Sequence, residues 1–174
     1  MKYGDAIKKS MDDLARDPRI VFIGYNLIHG SKAYGSLNDI SSERIIETPV
    51  AENLMAGLST GLAIEGFKPV LIFERHDFML NALDGLINHL DKLNELSGGE
   101  YCPPVIIRAI VGSKDPINPG PQHMQDFTGS FEQMFKMPIY EPKDSRQVLD
   151  SYNIAKKTNK PIMVVERRDF YEIE

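Results

Sequence analysis

The chain has 174 residues, a length typical of one domain, so we expect a single domain over residues 1–174. Its 20 lysines and arginines and 25 acidic residues give a net charge of −5 without any long basic run, which argues against nucleic acid or an anionic membrane as the main partner. A single cysteine, Cys102, excludes a disulfide framework. With no signal-peptide pattern and no long apolar run, it favours a cytoplasmic protein outside the membrane.

Short apolar runs alternate with helical patterns along the chain. The first half predicts a helix that ends at Asp17-Pro18, a strand at 19–23, a long loop at 25–42, a strand at 44–46, a helix at 50–65 and a strand at 69–73. The second half predicts a helix at 77–96, a strand at 104–108, a loop at 112–120, a helix at 126–135, a strand at 137–140, a helix at 145–157 and a strand at 161–165.

Strands that alternate with helices predict an α/β fold, a doubly wound and mostly parallel sheet with helices on both faces. In such sheets ligands bind beyond the carboxyl ends of the strands. Four segments are expected at that edge: the residues after Gly24, residues 75–78, residues 109–123, and the segment after residue 46 that carries Glu52. Any chemistry should be sought in these four segments.

The residue pattern by itself names no reaction. The sequence contains no Walker-type loop, no dinucleotide fingerprint and no nucleophile elbow. Its four histidines lack metal-site spacing, so no metal site is expected. From pattern alone, Glu52 is a first-turn carboxylate of a helix, Phe78 a core residue and His123 a loop histidine.

A series of short motifs in a fixed order is more specific. The series comprises 47–52 (ETPVAE), 56–63 (AGLSTGLA), 66–70 (GFKPV), 77–79 (DFM), 97–99 (SGG), 104–108 (PVIIR), 120–123 (GPQH) and 161–166 (PIMVVE). It closely resembles the pyrimidine-binding domain of thiamine-diphosphate enzymes, and is nearest to the beta subunit of the decarboxylase component of the 2-oxo acid dehydrogenases. The resemblance covers essentially the whole chain and implies the thiamine-diphosphate-binding fold.

The resemblance also implies roles for three residues. Glu52 matches the glutamate that contacts the aminopyrimidine ring nitrogen, where a shared proton favours the imino form of the cofactor and so activates its thiazolium carbon. Phe78 matches the aromatic residue that stacks on the pyrimidine, and His123 matches a histidine at the mouth of the site that orients substrate or transfers a proton.

Departures from the family pattern concern the substrate side of the site. After the first strand the family's beta subunits usually have acidic residues, whereas this chain has Tyr25 and Asn26. His76 stands where an aromatic or small residue is common, and Glu74-Arg75 adds charge beside the cofactor pocket. Tyr25, Asn26 and His76 are therefore candidates for the substrate channel.

The resemblance further implies a partner. The Gly-Asp-Gly to Asn segment that holds magnesium and the diphosphate in these enzymes is absent, and the chain stops at Glu174 without the family's C-terminal domain. We therefore expect a diphosphate-binding partner subunit that holds Mg²⁺, in an alpha2beta2 assembly with the site between the chains.

The expected function is a subunit that acts with thiamine diphosphate on a small-molecule 2-oxo acid, by decarboxylation and transfer of the acyl or aldehyde unit. The enzymatic alternative is ketol transfer of the transketolase kind. A different class of function is a non-catalytic regulatory or binding subunit that kept the fold, and a further alternative is a domain for another nucleotide-like ligand.

Overall fold

The computed structural model describes residues 1–115 and 118–174, and its centre is a sheet of six strands. The strands are β1 (Ile20–Gly24), β2 (Ile45–Glu47), β3 (Lys68–Phe73), β4 (Ile106–Val111), β5 (Ile139–Tyr140) and β6 (Ile162–Arg167). They lie in the order β2-β1-β3-β4-β6-β5, and every neighbouring pair is parallel. The predicted parallel α/β sheet is confirmed.

The helices connect these strands. They are α1 (Tyr3–Leu14), α2 (Glu52–Ile64), α3 (His76–Met79), α4 (Leu93–Leu96), α5 (Thr128–Met134) and α6 (Ser145–Lys157). Short 3-10 turns lie at Ser42–Arg44, Leu80–Ala82, Pro121–His123 and Arg168–Phe170. Among the described residues, no helix is long and apolar enough to cross a membrane.

Two apolar cores cover the two faces of the sheet, because successive strand residues point to opposite faces. On one face Val21 and Ile23 of β1 pack with buried residues of α2 and α5, including Met55 and Phe131. On the other face Ile20 and Phe22 belong to a core that includes buried residues of α1 and α6. Helices therefore cover both faces, as the sequence predicts.

The continuous helix predicted over residues 77–96 is wrong in detail. The segment contains α3, a 3-10 turn, a π-helix at Asp84–Leu90 and α4. At Gly85 this segment approaches α2 closely, since an added Cβ would lie 2.9 Å from the Cβ of Ala56. The Gly85 N–H donates to Oδ1 of Asn53 at 3.2 Å, so the wider turn is held by contact with α2.

The predicted loop at 112–120 includes residues 116 and 117, which lie outside the described residues. The described residues 112–115 and 118–120 contain no helix or strand. The backbone is tightly packed at Gly112, where an added Cβ would lie only 1.8 Å from the carbonyl oxygen of His123. Gly112 therefore allows the segment that carries His123 to pass directly over the end of β4.

A fully buried ion pair joins β4 to β6. The Arg108 guanidinium donates to both carboxylate oxygens of Glu166, at 2.8 Å each, and both side chains have 0% exposure. Burial opposes the charged guanidinium, but the Glu166 carboxylate outweighs that effect, so the pKa of Arg108 is raised. The sequence analysis placed Arg108 at the end of a strand without identifying a buried charge.

Candidate active site

The carboxyl edge of the sheet collects polar groups that lack partners. Within residues 1–115 and 118–174, seven buried side-chain polar atoms have no hydrogen-bond partner, and all seven follow the ends of β1, β2, β3 or β4. They are Tyr25 Oη, Thr48 Oγ1, Glu52 Oε1, Arg75 Nε, His76 Nε2, Asp77 Oδ2 and His123 Nδ1. Because an unpaired buried polar group costs free energy, this concentration marks an edge suited to a polar ligand.

Glu52 is the first residue of α2, where the helix dipole favours a negative charge. The side chain lies on the inner side of the helix, and the residue is only 5% exposed. In the described chain its Oε1 accepts no hydrogen bond. The residue therefore presents a buried carboxylate oxygen with free acceptor capacity, as a ligand with an N–H or O–H donor requires.

The charge of the Glu52 carboxylate acts on the hydroxyl group of Tyr25. Its ring is buried, and the pKa of its hydroxyl is raised by burial and by the Glu52 and Glu74 carboxylates. The hydroxyl is therefore a neutral donor near Glu52. Asn26, the next residue, is exposed and has a left-handed backbone with φ of 58°; its Nδ2 donates to Glu74 Oε2 at 3.4 Å. Of these two neighbouring channel candidates, Tyr25 is therefore buried and Asn26 is exposed to solvent.

Phe78 and His123 are brought together although they come from different segments of the edge. Their ring centroids lie 5.1 Å apart with an angle of 89° between the planes, an edge-to-face arrangement. Phe78 is half-buried against the core, and the Nδ1 atom of His123 is buried without a partner in the described chain. This pair forms an aromatic wall with one free imidazole nitrogen.

His76 is placed differently from the other channel candidates. It has 0% exposure, and its Nδ1 accepts the backbone N–H of Phe127 at 3.2 Å. Burial lowers the pKa of His76 to about 4, and the nearby Asp126 and Asp77 carboxylates only partly oppose it. The neutral ring therefore carries its proton on Nε2. With no exposed surface, it lies behind the edge and could reach a substrate only indirectly, so its place in a substrate channel stays a prediction.

Two groups at this edge received no role in the sequence analysis. Thr48 has a buried Oγ1, while its backbone N–H donates to the Gly24 carbonyl at 2.9 Å. No sequence signal singles it out. Arg75 has an unpaired buried Nε, and the charged dipeptide Glu74-Arg75 directly after an apolar strand was the available signal. Both residues add hydrogen-bonding capacity to the same edge.

The residues present fit an aminopyrimidine ring. Glu52 offers a buried acceptor for a protonated ring nitrogen, and Phe78 offers a partly accessible aromatic ring. Two further groups are available for proton transfer or orientation: His123, in edge-to-face contact with Phe78, and the Tyr25 hydroxyl, whose pKa the Glu52 carboxylate helps to raise.

Comparisons with known proteins show the family and the fold of the chain. The family described as "Transketolase, pyrimidine binding domain" matches residues 1–173. The mitochondrial pyruvate dehydrogenase E1 component subunit beta of Ascaris suum is 28% identical over 172 residues, which cover 96% of this chain and 47% of that protein. The Homo sapiens protein of the same name is 28% identical, with coverage of 97% and 48%, and that of Dictyostelium discoideum is 30% identical, with coverage of 96% and 48%.

The chain thus spans about half the length of these curated relatives. Among solved structures, a chain titled "Split gene transketolase, inactive beta4 tetramer" superposes with a TM-score of 0.73. That match has 19% sequence identity and covers 97% of this chain and 51% of the other. At this identity the likeness concerns the fold.

Proposed function

Because the chain belongs to the transketolase pyrimidine-binding domain family, we propose that it serves as the pyrimidine-binding subunit of a heteromeric thiamine-diphosphate enzyme. The observation that carries the proposal is the buried Glu52 carboxylate at the start of α2, whose Oε1 has no partner in the described chain. In this proposal residues 1–174 act as one pyrimidine-binding domain, and the substrate is a small 2-oxo acid.

We propose one role each for Glu52, Phe78 and His123, based on their burial, free polar atoms and mutual contact. Glu52 accepts the hydrogen bond of a protonated pyrimidine nitrogen, and Phe78 packs against the ring. When bound, thiamine diphosphate supplies the carbanion chemistry that cleaves or forms a bond beside a carbonyl. His123, held against Phe78, orients the substrate or transfers a proton through its free nitrogen.

The proposal includes a partner chain. Within the described residues, no three His, Cys, Asp or Glu side chains group as metal ligands, so the proposal assigns Mg²⁺ to another chain. The relatives named above are subunits by name, and one is titled a split-gene protein. We propose that the partner holds the diphosphate and Mg²⁺, and that the two chains form an alpha2beta2 assembly.

The test replaces Glu52 by glutamine, which keeps the size of the side chain but cannot hold the proton. The enzyme is the chain purified with its copurifying partner. We expect turnover of a 2-oxo acid to fall by about 100-fold or more, the usual contribution of acid-base groups. Calorimetric titration with thiamine diphosphate and Mg²⁺ should show weaker binding.

Glu65→Gln is the matched control, because Glu65 is an exposed carboxylate at the other end of the same helix. It should leave turnover and cofactor affinity unchanged. Unchanged turnover in Glu52→Gln would instead support the non-catalytic binding subunit. If an assembly with its partner bound no thiamine diphosphate, the domain would serve another ligand.

A further inference from the structure

Arg75 is half-buried, and its guanidinium forms no ion pair with a carboxylate in the part of the chain that the structure describes. Among the described residues, the one hydrogen bond of its side chain runs from Nη1 to the backbone carbonyl of Glu74, at 2.6 Å. The Nε donor is buried and unpaired, and Nη2 makes no hydrogen bond to any described residue. Arginines that lose this much water normally face a carboxylate or phosphate, because the guanidinium stays charged.

The two carboxylates nearest in sequence make their hydrogen bonds to other side chains, and Asp77 Oδ2 has no partner among the described residues. The Glu74 carboxylate accepts hydrogen bonds from Ser31 on one oxygen and from Asn26 on the other, so both oxygens are directed to side chains other than Arg75. Asp77 accepts the side-chain amide of Gln125 at 2.7 Å. Burial lowers the pKa of Arg75, and the cation of Arg168 adds to that effect, whereas the Asp77 carboxylate and the Tyr25 and Tyr171 hydroxyls act in the opposite direction. Among the described residues, none of these groups forms a hydrogen bond with the guanidinium.

A strained turn holds the aromatic ring on which Arg75 rests. Lys32, Ala33 and Tyr34 have φ values of 51°, 47° and 57°, and such left-handed conformations cost free energy for residues with a Cβ. The turn places the Tyr34 ring 5.3 Å from the Arg75 guanidinium and 5.1 Å from that of Arg168. Two cations therefore share one ring, although like charges repel each other.

Arg75 lies within the candidate site. The position of an added Cβ on Gly112 is 3.2 Å from the Arg75 Cδ and 1.8 Å from the His123 carbonyl oxygen. The Arg75 side chain therefore runs beside Gly112 and the backbone of His123. Tyr25, the neutral donor near Glu52, also lies close enough to affect the Arg75 charge.

We propose that Arg75, with Arg168 on the same Tyr34 ring, binds an anionic group that the substrate retains through the reaction. This rests on the function proposed above and specifies its substrate class: a 2-oxo acid or related carbonyl compound with a second negative charge. Nε and Nη2 form one edge of the guanidinium, and two parallel donors match a carboxylate or a phosphate group.

The second charge is a better assignment than the carboxylate next to the carbonyl. In a decarboxylation that carboxylate leaves as carbon dioxide, so its negative charge is dispersed in the transition state. An arginine bound to it would stabilise the ground state more than the transition state, which slows the chemical step. An anionic group elsewhere in the substrate keeps its charge, and its binding energy helps to position the reacting carbonyl.

A direct binding test needs neither cofactor nor partner. The Nε–Hε resonances of Arg75 and Arg168 are assigned in the full chain with Arg75→Lys and Arg168→Lys. The chain is then titrated with glutarate and with inorganic phosphate at constant ionic strength. We expect saturable shifts of both resonances, and the anion that saturates at the lower concentration identifies the group as carboxylate or phosphate. Arg75→Met should abolish the shift at Arg168.

Arg146→Met is the matched control, since Arg146 is 92% exposed on α6 and should leave the titration unchanged. Shifts that grow linearly and equally with chloride would overturn the proposal, as would no shift at all. Because thiamine diphosphate is absent here, failure of the proposed enzyme function would not alter this result.

The substrate class is tested with the assembled enzyme and two five-carbon acids, 2-oxoglutarate and 2-oxopentanoate, which differ by the second carboxylate. Arg75→Met should lower kcat/KM for 2-oxoglutarate by about 10- to 100-fold, the scale of a lost charged hydrogen bond. For 2-oxopentanoate it should change little. Equal losses for both acids would show that Arg75 acts on structure alone. If phosphate saturates at the lower concentration in the titration, the two acids are replaced by a phosphorylated ketose and its unphosphorylated form, and the same comparison is made.

Discussion

At the scale of single residues, His76 should make the stability of the folded chain depend on pH. Burial lowers its pKa to about 4, against an ordinary value of 6.5; Arg167 acts in the same direction, and Asp126, Asp77 and Glu141 oppose it. Below pH 6.5 the His76 side chain of the unfolded chain therefore binds a proton, whereas in the folded chain it stays neutral until about pH 4. The free energy of unfolding should fall by up to ~3 kcal/mol across this window and be fully retained above it.

His76→Asn separates this effect from other acid-sensitive groups. The asparagine Oδ1 can accept the Phe127 N–H that the imidazole Nδ1 now accepts, while the side chain does not titrate. Urea unfolding at pH 7 and pH 4.5 should show a smaller pH dependence in the variant than in the wild type. His89→Asn, at a largely exposed histidine, should behave like the wild type. An equal loss of stability in His76→Asn and the wild type would contradict the assignment.

Some residues of the candidate site could be predicted from the sequence and others could not. Glu52, Phe78 and His123 were named through the order of the surrounding motifs, and the structure places Phe78 and His123 in contact. The unpaired state of Thr48 and Arg75 depends on which distant segments do or do not reach them. The sequence marks Arg75 as a charge directly after an apolar strand, but no local spacing encodes an absent partner, so the unpaired state of these two groups could not be predicted.

At the scale of elements, the turn over residues 32–35 should be a store of backbone strain. Lys32 has φ of 51° and no side-chain hydrogen bond to the described residues, so glycine should fit its backbone better. We expect Lys32→Gly to raise the free energy of unfolding by about 0.5–1 kcal/mol, the difference between relieved strain and added chain entropy. Thermal and urea unfolding would measure it.

Lys9→Gly provides the opposite case, because Lys9 is an exposed residue within α1. Glycine there should lower stability by about 1 kcal/mol. If both variants lost stability equally, the left-handed turn would be unstrained. Lys32→Gly should also leave the Arg75 resonance able to shift on anion binding, provided that Tyr34 stays in place.

Element types were predictable where hydrophobic periodicity was strong, whereas special backbone geometry was not. The helix predicted at 145–157 coincides with α6, whose Asp144 side chain accepts the Gln147 N–H as an N-cap. The irregular stretch at 25–42 was predicted as a loop, but its left-handed turn was not, because lysine, alanine and tyrosine do not favour that conformation. The π-helix at Asp84–Leu90 likewise depends on contact with α2.

At the scale of the whole molecule, the alternation of strands and helices predicted the parallel sheet and its carboxyl edge but not the strand order. Sequence neighbours β1 and β2 pair at one edge, whereas β6 lies between β4 and β5. That order places β1, β3 and β4 side by side, so the segments that follow them share one site. The site is therefore a product of topology, which a pass along the chain does not contain.

One buried polar cluster ties this topology together. Glu166 of β6 binds Arg108 of β4, and it also accepts hydrogen bonds from the hydroxyls of Tyr152 on α6 and Tyr171 near the C-terminus. The Arg108 guanidinium reaches Ser36 of the long loop at 2.9 Å. Five separate parts of the chain thus meet at one carboxylate and its partner. Polar networks of this kind stabilise a fold only while every member is satisfied.

Glu166→Gln should therefore destabilise the whole molecule, since it leaves the Arg108 charge buried without a negative partner. We expect the free energy of unfolding to fall by about 3–5 kcal/mol, the usual result of breaking one side of a buried pair. Circular dichroism during urea unfolding would measure the loss. Glu95→Gln removes a carboxylate of the exposed pair with Lys136 and should leave the urea midpoint unchanged. A urea midpoint for Glu166→Gln equal to that of the wild type would show that the network adds nothing to stability.

Replacing both Arg108 and Glu166 by methionine should lower the free energy of unfolding less than Glu166→Gln alone, because no uncompensated charge remains.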